Sequence, residues 1–207
     1  RFMLRELADV GEIVMRMPPR MRTAAAVVAE FVGADAQDLA FVDNATTGCN
    51  AVLRSLRFAA GDEILVADHG YGAVTKTAHY VSDRAGASVK VVELPFPGIT
   101  PASALAAIEA ALTPRTRMLV IDHITSGSAL VLPIAEIAAL CRARGVLTLI
   151  DGAHAPGALP LDIPALGADY YVGNLHKWAM APRSCGLLWA ARDRQAELHP
   201  TVISWGY

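Results

Sequence analysis

Short apolar runs rich in β-branched residues alternate along the chain with longer, alanine-rich stretches whose apolar positions recur at helical spacing. That rhythm is the signature of a mainly parallel α/β sheet. The runs predict strands at Leu39 to Val42, Glu63 to Ala67, Ser88 to Glu93, Met118 to Asp122, Val146 to Asp151, Tyr170 to Val172 and Gly186 to Ala190. Helices fit Thr47 to Leu56, Tyr71 to Ala85, Pro101 to Ala111 and Ile134 to Arg144, with a short turn near Ile163 to Leu166. Pro101 suits a first helical turn, and Gly145 a helix C-terminus. Arg5 to Val32 reads as one or two entry helices broken at Pro18 and Pro19, because proline removes a helical hydrogen bond and crowds the preceding turn. Residues 1–32 are thus expected as an entry segment and 33–207 as one domain.

The residues just past each apolar run carry more information than the runs themselves. VDNATTG, VADHGYG, VIDHITSGS, LIDGAHAPG and VGNLHKW all set polar, glycine-rich or ionisable residues beyond a strand's C-terminal end. Ligands bind at that edge of an open parallel sheet.

With 207 residues, 54% of them hydrophobic, the chain is able to bury one substantial core. A net charge of −2, from 18 basic and 20 acidic residues mixed along the sequence, leaves no positive stripe for a nucleic-acid backbone, so a small molecule is the expected partner. No apolar run approaches the roughly 20 residues that span a bilayer, so a soluble protein with no membrane partner is expected. Cys49, Cys141 and Cys185 are far apart and match neither a disulfide framework nor a zinc site, which suits a reducing, cytoplasmic setting. The chain starts without Met and stops at SWGY without a polar tail, as a fragment would.

Asp151 ends the run GVLTLI, so its carboxylate emerges from a buried strand. It either caps the GAHAPG turn or meets the protonated ring nitrogen of a cofactor, since a bare carboxylate there is costly. Lys177, among apolar neighbours and beside His176 and Trp178, is either a surface lysine or an amine whose proton affinity is lowered for chemistry. Its company favours chemistry: Asp151 and His154 follow one strand, and His176 and Lys177 the next. Thr46 and Thr47 stand in a polar turn opening a helix, where free N–H groups and the dipole attract an anion; Thr46 serves equally well as a plain N-cap.

LIDGAHAPG followed by ADYYVGNLHKW resembles the pyridoxal-phosphate (PLP) signature of the class V aminotransferase family, and FVDNATTGCNAVLRSL with DGAHAPG resembles its isopenicillin N epimerase-like branch. The resemblance runs from about Val27 to the end of the chain. It implies the type I, aspartate aminotransferase-like fold: a large domain with a seven-stranded, mostly parallel sheet flanked by helices, one antiparallel strand at GLLWAA, and here no small domain. It implies Lys177 as the Schiff-base lysine, Asp151 as the partner of the pyridine nitrogen, and His154 at the cofactor's phenolic oxygen. By the same resemblance Thr46, Thr47, Asn174 and His176 bind phosphate, with Asn standing where relatives carry Ser or Thr. Tyr71, or its rival His69, lies over the ring, and Ser126 stands near cofactor and substrate. TVISWGY resembles a segment that approaches the partner's phosphate in family homodimers. The implied activity is PLP chemistry on an amino acid or related amine, through a carbanion at its α-carbon, in an epimerase, aminotransferase or carbon–sulfur lyase. None of the three cysteines matches the family's catalytic cysteine.

Two other readings use the same residues. Asp122, His123, Asp151, His154 and His176 offer ligands for a metal-dependent hydrolase, which leaves Lys177 without a role. The other is non-catalytic: either a nucleotide-binding or regulatory module, for which the GxGxxG fingerprint after the first strand is missing, or a degenerate PLP-fold fragment.

Overall fold

The computed structural model describes residues 10–204 and 207. These form one seven-stranded sheet: β1 (Leu39–Val42), β2 (Glu63–Ala67), β3 (Ser88–Val92), β4 (Thr116–Asp122), β5 (Leu147–Gly152), β6 (Tyr170–Asn174) and β7 (Gly186–Ala190), in the spatial order β1-β7-β6-β5-β4-β2-β3. Only β7 runs against its neighbours, as expected for the GLLWAA run. Five helices cover the sheet: α1 (Val10–Val32), α2 (Ala45–Ser55), α3 (Gly72–Ala85), α4 (Pro101–Ala111) and α5 (Ile134–Ala143).

Side-chain alternation along each strand sorts the core into two layers. Ile64, Val66, Met118, Val120, Leu149 and Val172 pack beneath α2 and α3. Leu65, Leu119, Ile121, Ile150 and Tyr171 face the opposite layer, where α1, α4 and α5 contribute Ala29, Val32, Ile108 and Ile137. Strands buried on both faces explain their near-continuous apolar sequence. Helix boundaries follow local chemistry. Thr100 and Ser103 form a reciprocal capping box ahead of Pro101, and α3 ends at Gly86, which adopts φ +68°.

The expected break at Pro18 and Pro19 does not occur: both lie inside α1. The prolines stand in an exposed stretch, where carbonyls deprived of their N–H donors are able to turn to water, and the Thr23 hydroxyl donates to Pro19 O at 3.1 Å. The helix expected from Thr47 starts two residues earlier, at Ala45. Strand β6 continues through Gly173 and Asn174, two residues beyond the expected Val172. The Arg5 to Asp9 part of the entry segment, and Trp205 and Gly206 of the terminal segment, lie outside the described residues.

At the site edge the sheet is closely fitted. A Cβ placed on Gly152 would stand 2.2 Å from the Tyr171 ring, and that ring is fixed by the 2.9 Å contact of its hydroxyl with His123 Nδ1. Gly152→Ala is therefore expected to cost about 1–3 kcal/mol through overpacking. Urea unfolding measures it; an unchanged midpoint would contradict this packing.

Candidate active site

The alternation that buries Val120, Leu149 and Val172 under α2 and α3 carries Asp122, Asp151 and Asn174 to the same face at the C-terminal ends of β4, β5 and β6. Parallel pairing sets Asp122 directly beside Asp151 in register, and the two are only 5% and 2% exposed. Burial raises the pKa of both carboxyls. Asp122 rises to about 7, pushed first by desolvation and then by the charge of Asp151, against backbone N–H bonds from Tyr71 and Ser126. Asp151 is raised mainly by burial, against the Ala153 N–H, which its Oδ1 accepts at 3.0 Å, and the charge of Lys177. Cys49, on α2, is buried close enough to both carboxylates for their charges to add to its own raised pKa.

The segment after β6 brings Lys177 to this pair. Its Nζ lies 3.0 Å from His154 Nε2, and the Trp178 indole donates to His154 Nδ1 at 3.2 Å. Burial lowers the pKa of Lys177, with Asp151 and Asp122 opposing, and burial followed by the charge of Lys177 lowers that of His154. The expected trio of Asp151, His154 and Lys177 thus converges.

The opening of α2 is more specific than expected. Asn44, rather than Thr46, is its N-cap: its Oδ1 accepts the Thr47 N–H at 2.9 Å and the Thr47 hydroxyl at 3.3 Å. Asn174 Oδ1 accepts the Ala45 N–H at 2.8 Å, tying the end of β6 to the helix start. Among the described residues this leaves the Thr46 amide and hydroxyl as the free donors of the turn. His176 Nδ1 is held by the backbone of Cys185, 2.8 Å from its oxygen and 3.3 Å from its nitrogen.

Around the rim, Tyr71 is 46% exposed and offers its backbone N–H to Asp122 at 3.4 Å. His69 is engaged elsewhere, with Nδ1 2.8 Å from the Ser128 hydroxyl and its ring edge-on to Phe96. The Ser126 side chain is exposed. His123 turns to Tyr171 in the opposite layer, and burial lowers its pKa to about 4. Among the described residues no three His, Cys, Asp or Glu groups are arranged to hold a metal ion. No described helix is long and apolar enough to cross a membrane. From sequence, Asp122 enters only as a metal ligand and Trp178 only as a neighbour of Lys177. Asp122 ends the run MLVI as Asp151 ends LTLI, so the signal for a paired role is present in the chain.

The isopenicillin N epimerase of Streptomyces clavuligerus is 39% identical over 195 residues, covering 94% of this chain and 49% of the epimerase. The structure of the cystine C-S lyase C-DES with its product cysteine persulfide superposes with a TM-score of 0.82 at 33% identity, covering 89% of this chain and 49% of the lyase. A C-DES mutant with glycine covalently linked to its PLP cofactor gives a TM-score of 0.84 at 29% identity, covering 97% and 55%. The chain spans about half the length of the curated relatives it matches. The family model described as Aminotransferase class-V matches residues 8–206. With that match over nearly its whole length, and with the type I large-domain sheet, the chain belongs to the class V aminotransferase family, in its isopenicillin N epimerase-like branch.

Proposed function

We propose that this chain is the cofactor-binding part of a PLP-dependent enzyme acting on an amino acid or related small amine, with Lys177 as the lysine that carries the cofactor. The observation that carries the reading is the meeting of one partly desolvated amine with two buried carboxylates at the sheet edge, next to a helix N-terminus that has free donors. A metal-free cationic ring with an aldehyde and a phosphate matches that set of groups.

When bound, the cofactor supplies a conjugated cationic ring that draws electrons from the α-carbon of an attached amine. Asp151 would keep the ring nitrogen protonated, because an opposite charge at close range favours the charged form. Lys177, as a free base, would attach the cofactor and would also be the base placed to move the substrate's α-proton. His154 would hold the cofactor's phenolic oxygen through Nε2. Thr46, with the α2 dipole, would hold the phosphate, joined by the Thr47 hydroxyl, His176 through Nε2 and Asn174 through its amide nitrogen. Tyr71 would lie over the ring, since His69 is already bonded to Ser128, and Ser126 would border the substrate side. Epimerisation, amino transfer and carbon–sulfur cleavage all begin with this proton transfer. The exposed Met15, Met21, Val27 and Phe31 on α1 suit a homodimer, and the three free thiols suit a cytoplasmic setting.

Lys177→Ala should abolish covalent attachment of PLP, read from the absorption spectrum, while leaving the unfolding midpoint near that of the wild type; retained attachment would contradict the assignment. Asp151→Asn should leave PLP bound but slow single-turnover product formation about a hundredfold, the effect of a two-unit loss of ring-nitrogen proton affinity expressed in the transition state. An unchanged rate would remove Asp151 from that role. Because folding raises the pKa of Asp122 from 3.8 to about 7, its stabilising contribution is complete below pH 3.8 and lost as pH rises through about 7. The apo chain should therefore lose stability relative to Asp122→Asn across that interval, by about 1.4 kcal/mol for each tenfold change in proton affinity. Parallel pH–stability curves would contradict it.

A further inference from the structure

Two hydrogen bonds in series link Trp178 to Lys177 through one imidazole. An indole nitrogen only donates, so His154 Nδ1, which receives the Trp178 N–H, is the unprotonated nitrogen of the ring. A neutral imidazole with a bare Nδ1 carries its proton on Nε2. The 3.0 Å contact therefore runs from His154 Nε2–H to Lys177 Nζ, which accepts it only as the free amine. In the reverse tautomer a bare Nε2 would accept from the lysine ammonium and hold the charge on Lys177.

We infer that Trp178 is a positioning residue whose indole N–H selects the Nε2–H tautomer of His154 and thereby keeps Lys177 an unprotonated nucleophile; this rests on the role proposed above for Lys177. The groups that face the lysine agree. Burial lowers the proton affinity of Lys177, Asp151 on β5 and Asp122 on β4 pull it back up, and burial followed by the charge of Lys177 lowers that of His154. With two carboxylates on one side, a hydrogen bond that only the free amine accepts adds to burial on the other.

The backbone explains how residues 24 positions apart meet. Gly157 adopts φ +87°, and a Cβ there would stand 2.5 Å from the main-chain carbon and oxygen of Trp178, so the turn after β5 packs backbone against backbone on the segment after β6. Trp178 is 53% exposed. Core packing does not set its direction, whereas its bond to His154 does.

Trp178→Phe keeps an aromatic ring and removes the donor. In ¹⁵N spectra of the chain with labelled histidine, recorded without PLP and assigned by the signals lost in His154→Gln, the wild type should show a bare Nδ1 and a protonated Nε2 at His154. Trp178→Phe should shift that population toward the other tautomer. The second readout is the pH profile for condensation of Lys177 with added PLP, in which Nζ adds to the aldehyde carbon, a C=N bond replaces C=O and the oxygen leaves as water. Trp178→Phe should move the profile up by about one pH unit, a tenfold slower reaction at a fixed pH on its lower limb. In a His154→Gln background, where an amide N–H donates and no tautomer exists, Trp178→Phe should not move the profile. Unchanged His154 signals with an unchanged profile would overturn the inference, as would an equal shift in the His154→Gln background. If wild-type Lys177 does not condense at all, the proposed function fails, and the cofactor-free spectra still decide the tautomer lock.

Discussion

A carboxylate removed from water at a strand end needs hydrogen-bond donors or a cation to meet it, and this fold places two such carboxylates side by side. Asp122 and Asp151 pair in register on adjacent strands, both almost fully buried, and each raises the cost of ionising the other. The groups around them answer that constraint. The amides of Tyr71, Ser126 and Ala153 point at the carboxylates, and Lys177 is the amine nearby. A cationic ring nitrogen entering this edge would meet negative charge already desolvated and fixed, so little reorganisation is needed when it binds.

The sheet provides the placement. Parallel strands end level with one another, and the side-chain alternation that makes the core under α2 and α3 continues without a slip into Asp122, Asp151 and Asn174. Asn174 joins the start of α2 to the segment that carries Lys177. Three residues before Lys177, it holds the first N–H of α2, so the helix N-terminus and the lysine are referred to the same strand. Packing, rather than any loop's own preference, sets the separation between the group that would hold phosphate and the group that would carry the cofactor.

The strands were readable because their apolar runs stop abruptly at ionisable residues, and Asp151 and Lys177 stood out because neither suits an apolar setting without a role. Other features depended on competition that a single segment does not reveal. Thr46 suits an N-cap by residue type, yet in the folded chain Asn44 takes that place and Asn174, on the strand beneath, takes the Ala45 N–H. Pro18 and Pro19 read as a break because local propensity opposes a helix there, yet α1 is anchored by Ala25, Ala29 and Val32 in the core and its prolines face outward. Tyr71 and its rival His69 share one loop, and the contacts of His69 with Ser128 and Phe96 belong to other segments of the chain. The contact between Trp178 and His154 exists only because two loops pack together across the Gly157 backbone.

The central claim concerns one amine among three. The chain has three lysines: Lys76 is exposed on α3, Lys90 donates to Ala111 O, and Lys177 stands at the carboxylate pair. Borohydride reduction of the protein saturated with PLP, followed by peptide mass mapping, tests it most directly. The account predicts that the cofactor's mass is fixed on the peptide holding Lys177; its appearance on Lys76 or Lys90 instead, or on no lysine, would contradict it.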